Sequence, residues 1–290
     1  MNPSTELAGQ QEAVRKNIRE GASLSTAYVT MNVLATIVAR AGLFANSPAV
    51  VIGAMVIAML LGPITGITLA LVDGDTRLLR MALAAEIGGV IIVMATAFIG
   101  GKIFQHVPLT DEIMARTAPN LLDLMIALAG GAAGAYATAS RHVSVGLVGV
   151  AIATALVPPL SSSGILLARG ESQLAFGAFL LALTNIVAIQ FASSGMFWLF
   201  GYHQITRRPQ EGQSRLLGNA ISLGLLVVLT VVLGFSFTQS LAKQRFEASV
   251  RDNVTQALDS FPGAYLADLW FGAAHKADDP GGESPLSVSS

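Results

Sequence analysis

Two short segments set proline beside side-chain hydroxyls inside otherwise apolar sequence. The first is Leu61-Gly62-Pro63-Ile64-Thr65-Gly66, with Thr68 just beyond; the second is Leu156-Val157-Pro158-Pro159-Leu160-Ser161-Ser162-Ser163-Gly164. Proline deletes a backbone donor and frees the carbonyl four residues back, and an unsatisfied polar group in hydrocarbon costs several kcal/mol. Irregular backbone at these points therefore implies a cavity, water or partner that meets the freed groups. A helix restarting beyond each break, capped by Thr65 or by one of Ser161, Ser162 and Ser163, would point free N–H groups and partial positive charge into the membrane centre. Hydroxyls and amide donors would then converge on a solute. The plainer alternative is a pair of kinks whose hydroxyls back-bond within their own helices, which leaves more hydroxyls than freed carbonyls.

Ionisable groups inside apolar runs are few, and such groups usually face a bundle interior or a water-filled cavity. Glu86 has two readings: an inward carboxylate that couples transport to a proton or cation, or a side chain snorkelling to the interface beside Arg77 and Arg80. Asp123 opens a span, where it reads as a helix N-terminal charge with coupling as the alternative. Asn185 adds an amide, and Tyr28 and Asn32, spaced i, i+4, can line the same cavity, although Tyr28 also suits the interface. The candidate solute-binding set is thus Asn32, Thr65, Gly66, Thr68, Pro159, Ser161, Ser162, Ser163 and Asn185, with Glu86 and Asp123 as coupling candidates. Four histidines, none in a helical i, i+4 pair, and no cysteine leave no metal, haem, iron–sulfur or disulfide framework. No phosphate-binding glycine loop, nucleophile elbow, paired carboxylates or basic stripe is present. Neither an enzyme nor a cofactor nor a nucleic-acid partner is expected.

The elements that must carry these residues are membrane helices. Of 290 residues 53% are hydrophobic and only 12% charged, with mean hydropathy +0.63, whereas ordinary soluble domains carry about 25% charged residues. Runs free of Asp, Glu, Lys and Arg accommodate seven spans of about 20 residues or more, near 22–45, 48–72, 79–103, 121–140, 143–168, 174–202 and 215–241. Asn46-Ser47-Pro48 must turn the chain tightly between the first two. Residues 1–21 are polar and helix-forming, without a cleavage pattern, so the first span is expected to be retained. Arg15, Lys16, Arg19, Arg77, Arg80, Arg141, Arg207, Arg208 and Arg215 gather on the N-terminal side, against Lys102, Arg116 and Arg169 opposite. This asymmetry puts the N-terminus in the cytoplasm and the C-terminus outside a bacterial cytoplasmic membrane. Residues 242–290 would then be external, with an amphipathic helix at 243–260 and a disordered tail at 278–290.

Sliding the chain on itself by 96 residues pairs Gly53 with Gly149, Leu60 with Leu156, Pro63 with Pro159, Leu71 with Leu167 and Gly74 with Gly170. Thr65 falls on Ser161, Asp75 on Glu171, and Asn185 on position 89. The same offset carries span one onto span four and span three onto span six, so 22–103 and 121–202 read as two three-helix units. An odd number of crossings inserts the second unit upside down. The expected fold is therefore an all-α integral membrane protein with an inverted 3+3 repeat, two proline-broken helices and one extra helix, 215–241. Inverted repeats with midplane sites at broken helices are common in secondary transporters. Gly130, Gly131 and Gly134 suggest close helix packing.

The run Asn46-Ser47-Pro48-Ala49-Val50-Val51-Ile52-Gly53-Ala54-Met55, continuing to Gly62-Pro63-Ile64-Thr65-Gly66, together with Thr154-Ala155-Leu156-Val157-Pro158-Pro159-Leu160, resembles the signatures of the bacterial membrane family catalogued as domain of unknown function number 389. The resemblance spans roughly residues 22–205. It implies the membrane fold but no established reaction. Family members often carry a larger soluble region, which is absent or reduced to short tails here, so the resemblance argues against a soluble regulatory role.

Function must come from the site. The lining suits a transporter or facilitator of a small, neutral, hydroxyl- or amide-bearing solute such as a nucleoside, nucleobase or sugar, with an inorganic anion at the helix N-termini as the competing substrate. The other classes are an ion or anion channel of the same architecture and a non-transporting scaffold or sensor working through 243–260. The bilayer is the surrounding partner, and a homo-oligomer is compatible with the extra helix.

Overall fold

A computed structural model describes residues 3–118, 120–139 and 155–202, with scattered positions between 231 and 256. Nine helices are delimited among these residues: α1 (Pro3–Gly21), α2 (Thr26–Phe44), α3 (Pro48–Ile57), α4 (Leu61–Asp73), α5 (Thr76–Ile103), α6 (Asp111–Met114), α7 (Leu121–Ala139), α8 (Val157–Ala168) and α9 (Ser172–Leu199). There is no strand among the described residues. Four helices, α2, α5, α7 and α9, are long and apolar enough to cross a membrane. Together α3 and α4 pass the same test as one span bent by 56°, and α8 is a shorter apolar helix. The protein is an all-α, multi-pass membrane protein. The first half of the expected fifth span, nearly all of 215–241 and the tail beyond 256 lie outside the described residues. In a second compact unit, beginning at Phe237, the described positions up to 256 are helical, and the Thr255 hydroxyl donates to the Arg251 carbonyl.

Helix ends follow local chemistry. Ser25 caps α2 by accepting from Tyr28 N–H, and Asp75 caps α5 by accepting from Arg77 and Leu78 N–H. Asn46 turns the chain at φ 51° and Pro48 opens α3, which delivers the tight turn expected there. Gly74 after α4 and Gly170 after α8 adopt φ 69° and 85°, a region closed to most side chains. The 104–120 connection holds the short α6, whose cap Thr110 the sequence reading passed over.

The break in the second span is not at Pro63. It occupies residues 58–60, and Pro63 sits in the first turn of α4. A proline cannot bond back to the preceding turn, so the helix yields there, whereas the missing donor is harmless in a first turn. Pro158 and Pro159 take the same place in α8.

Element boundaries recur at the 96-residue offset. Leu61 and Val157 open α4 and α8, Gly74 and Gly170 end them, and α5 and α9 are both 28 residues long from Thr76 and Ser172. Helix α4 packs on its neighbour α5 and on α9; α8 packs on its neighbour α9 and on α5. Each half-helix thus leans on the long helix of the other half. Gly164 of α8 lies against Met94, Ala97 and Phe98, and Gly101 lies against Ile165 and Ala168, so α8 runs parallel to α5. Gly66 lies against Ala82 and Leu60 against Gly89, so α4 runs antiparallel to it. Helices α4 and α8, equivalent in sequence, consequently point in opposite directions. Glycine makes these approaches possible: a Cβ on Gly131 of α7 would stand 2.6 Å from the Ile189 carbonyl of α9.

Candidate functional site

The first break and the entry to α8, where the preceding half of the span lies outside the described residues, are each anchored by an asparagine from a neighbouring helix. In the first, Met59 N–H donates to Asn32 Oδ1 at 3.1 Å, while Asn32 Nδ2 donates to the Tyr28 carbonyl at 3.0 Å. In the second, Asn185 Nδ2 donates to the Ala155 carbonyl at 2.9 Å, the very carbonyl that Pro159 leaves without its helical partner. Met59 and Ala155 are equivalent at the 96-residue offset, so one amide serves the N–H and the other the C=O of matching backbone positions. Buried side chains Tyr28, Asn32 and Thr36 form a polar stripe on α2, with the Tyr28 hydroxyl donating to the Ala85 carbonyl at 3.2 Å and Thr36 to the Asn32 carbonyl at 2.7 Å. Tyr28 is therefore an interior residue and not an interfacial anchor.

The helix starts differ from the expected donor-rich caps. Leu60 and Leu156 occupy the cap positions without any side-chain cap. In the first turn of α4, Pro63 removes one donor and leaves the N–H groups of Leu61 and Gly62. That of α8 offers Val157 alone, since residues 158 and 159 are prolines and Leu160 N–H already bonds the Leu156 carbonyl. Thr65 does not cap; it back-bonds to the Leu61 and Gly62 carbonyls, and Thr68 back-bonds to Ile64. Gly66 is a packing position against Ala22 and Ala82. The three serines sit beyond the first turn, and Ser163 donates to the Ala175 carbonyl at 2.9 Å. Back-bonding within their own helix thus accounts for the two threonines, and a bond across to α9 accounts for Ser163.

What remains is a set of buried polar atoms without hydrogen-bond partners among the described residues: Ser161 Oγ, Ser162 Oγ, Asn185 Oδ1 and both carboxylate oxygens of Glu86. Glu86 is only 6% exposed, which removes the snorkelling alternative. It shares a stripe of α5 with Ala82 and Gly89, which touch Gly66 and Leu60, and so faces the first turn of α4 at the level of Pro63. Around the breaks lie fully buried Leu60, Ile64, Leu156 and Leu160, in one apolar core with Tyr28, Val93 and Ala188. Asp123 is engaged elsewhere: Asn120 N–H donates to its carboxylate at 3.2 Å and its own N–H donates to Asn120 Oδ1 at 2.9 Å, a reciprocal cap at the start of α7.

Two features escaped sequence reading. Ser194 of α9 also holds a buried, unpartnered hydroxyl, but a serine in a small-residue stretch gives no signal beyond packing. Arg15, counted as a topogenic charge, instead reaches Asp73 through both Nε and Nη2, at 3.0 and 2.7 Å, and the Tyr202 carbonyl at 2.7 Å.

The fold defines a class of polytopic helical membrane protein with one discontinuous span among the described residues. Residues 55–191 match the family described as "Domain of unknown function (DUF389)". An uncharacterized protein of the archaeon Methanocaldococcus jannaschii is 32% identical over 210 residues, which cover 69% of this chain and 64% of that protein. The chain thus spans a little under two thirds of this relative's length. No solved structure matches it.

Proposed function

We propose that the protein is a secondary transporter or facilitator of a small polar solute, bound at mid-membrane where the two broken spans meet the long helices α5 and α9. The observation that carries this reading is the coincidence of two asparagine-anchored half-helix starts with buried oxygen atoms that lack partners among the described residues. Buried polar groups are otherwise almost always satisfied. Recurrence of helix boundaries, and the opposite directions of α4 and α8, support two inverted halves related by a pseudo-two-fold axis in the membrane plane.

The chemistry favours a solute rich in donors. An ionised Glu86 and Asn185 Oδ1 accept hydrogen bonds from neutral donors or cations, and the prolines strip the helix starts of N–H groups an inorganic anion would need. A neutral hydroxyl- or amide-bearing solute fits better, with Glu86 as the carrier of a coupling proton or cation. Fully buried leucines at both breaks support an occluded carrier over an open channel. The Lys and Arg distribution supports a cytoplasmic N-terminus.

The test is a thermal-shift screen of purified protein against nucleosides, nucleobases, sugars, amino acids and anions, since a ligand of the folded state raises its apparent stability. Ser161→Ala with Ser162→Ala should then weaken the hit by roughly two- to tenfold per lost contact. Unchanged affinity for every ligand found would move the site away from the breaks.

A further inference from the structure

Arginines tie the two halves together at both ends of the molecule, and they do so at equivalent places. On the α1 side, Arg15 grips Asp73, the last residue of α4, and donates to the Tyr202 carbonyl just past α9; Gln11 Nε2 donates to the neighbouring Phe200 carbonyl at 3.3 Å. Asp73 is 3% and Arg15 13% exposed at the side chain. On the opposite side, Arg169, which follows the last residue of α8, donates to the Phe104 carbonyl at 3.2 Å and to that of Val107, just past α5. Residues 73 and 169 are 96 apart, as are 104 and 200. In both places the end of a half-helix of one unit is fastened to the segment just past the other unit's long helix. Carbonyls exposed at helix C-termini are natural sites for a guanidinium.

The clamps are separated by the length of α5, 28 residues, or about 42 Å. They differ in one respect. The second unit carries the arginine itself, whereas the first carries an acid at that position and borrows its arginine from α1.

We propose that these clamps are the two gates of the transport path: Arg15, with Asp73 and the Tyr202 carbonyl, closes the α1 side, and Arg169, with the Phe104 and Val107 carbonyls, closes the opposite side. This rests on the transport reading above and adds which residues control access from each face. Opening either gate separates a half-helix from the long helix of the other unit while the opposite clamp holds. Helix α1 is the part through which one gate is set, because it supplies the arginine that grips the α4 end.

The chain has no cysteine, so a single reporter cysteine, Ser162→Cys beside the second break or Thr65→Cys beside the first, reports access to the core. Right-side-out and inside-out vesicles of the full-length protein are treated with a membrane-impermeant maleimide. Arg15→Ala should raise labelling from the α1 side by about tenfold, as expected for losing a charge-assisted hydrogen-bonded clamp, and leave the other side unchanged. Arg169→Ala should do the reverse. Asp73→Arg in the Arg15→Ala background should restore closure, because it recreates the arrangement of the second unit. Arg15→Lys keeps the charge but loses the two-pronged contact and should label at an intermediate rate, which covers the case in which alanine unfolds the protein. If the reporters react in the parent protein but no arginine variant alters either side's rate, the gates are overturned and the transport path stands. If neither reporter reacts from either side in parent and variants alike, both readings fall.

Discussion

Asn32 and Asn185 look alike in sequence, two amides in apolar runs, yet they use opposite ends of the amide at matching backbone positions. Asn32→Ala would leave the buried Met59 N–H without its acceptor, a loss of about 1–3 kcal/mol. Chemical denaturation in detergent should show it, and Asn32→Asp, which keeps an acceptor, should recover part of the loss. Neither role was legible in the sequence, because an amide's partner is set by a backbone distortion in another helix. The carboxylate of Glu86 was better signalled, since an acid within an apolar run has few uses. Glu86→Gln keeps its shape and removes a charge that no described residue compensates. The variant should fold as well as the parent or better, and lose any dependence of solute uptake on a pH gradient. Uptake by Glu86→Gln vesicles that still follows the gradient would assign coupling elsewhere.

Between helices, the fold depends on absent side chains. A Cβ at Gly164 would crowd the Met94 carbonyl and stand 2.7 Å from Ala97 Cβ, in the contact where α8 meets the other unit's long helix. Gly164→Ala should therefore destabilise by about 1–3 kcal/mol, the usual scale of overpacking, whereas Gly53→Ala, which meets nothing within 4 Å, should be near neutral. Melting temperatures of the two variants make the comparison. Helix limits at this level were readable to within a few residues, because Ser25, Asp75, Gly74 and Gly170 act locally. The break was misplaced by one turn for an equally local reason: proline disturbs the turn before it, so its own position marks the restart of the helix.

For the molecule as a whole, the sequence offset anticipated the recurrence of helix boundaries, since a repeated unit repeats its caps along with its apolar faces. It gave no sign that the units would exchange half-helices, or that Arg15 would find Asp73 58 residues away, since both are contacts between distant parts of the chain. The orientation proposed from the basic residues predicts labelling of Ser4→Cys and Gln210→Cys only from the cytoplasmic face and of Ser287→Cys only from outside. Reaction of position 210 with an impermeant reagent in intact cells would reverse that assignment.

The exchange of half-helices also bears on how the protein is made. Helix α4 ends at Asp73, while α9, the long helix it leans on, begins only at Ser172. Synthesis at about 5–20 residues per second therefore leaves α4 without that companion for on the order of 5–25 s, its α9-facing side next to lipid or the insertion machinery. A nascent chain stopped before α9 would leave that side of α4 uncovered and be a natural target for quality control. Completion of the second unit is thus the step at which the first becomes stable, and the two units mature together even though they are written one after the other.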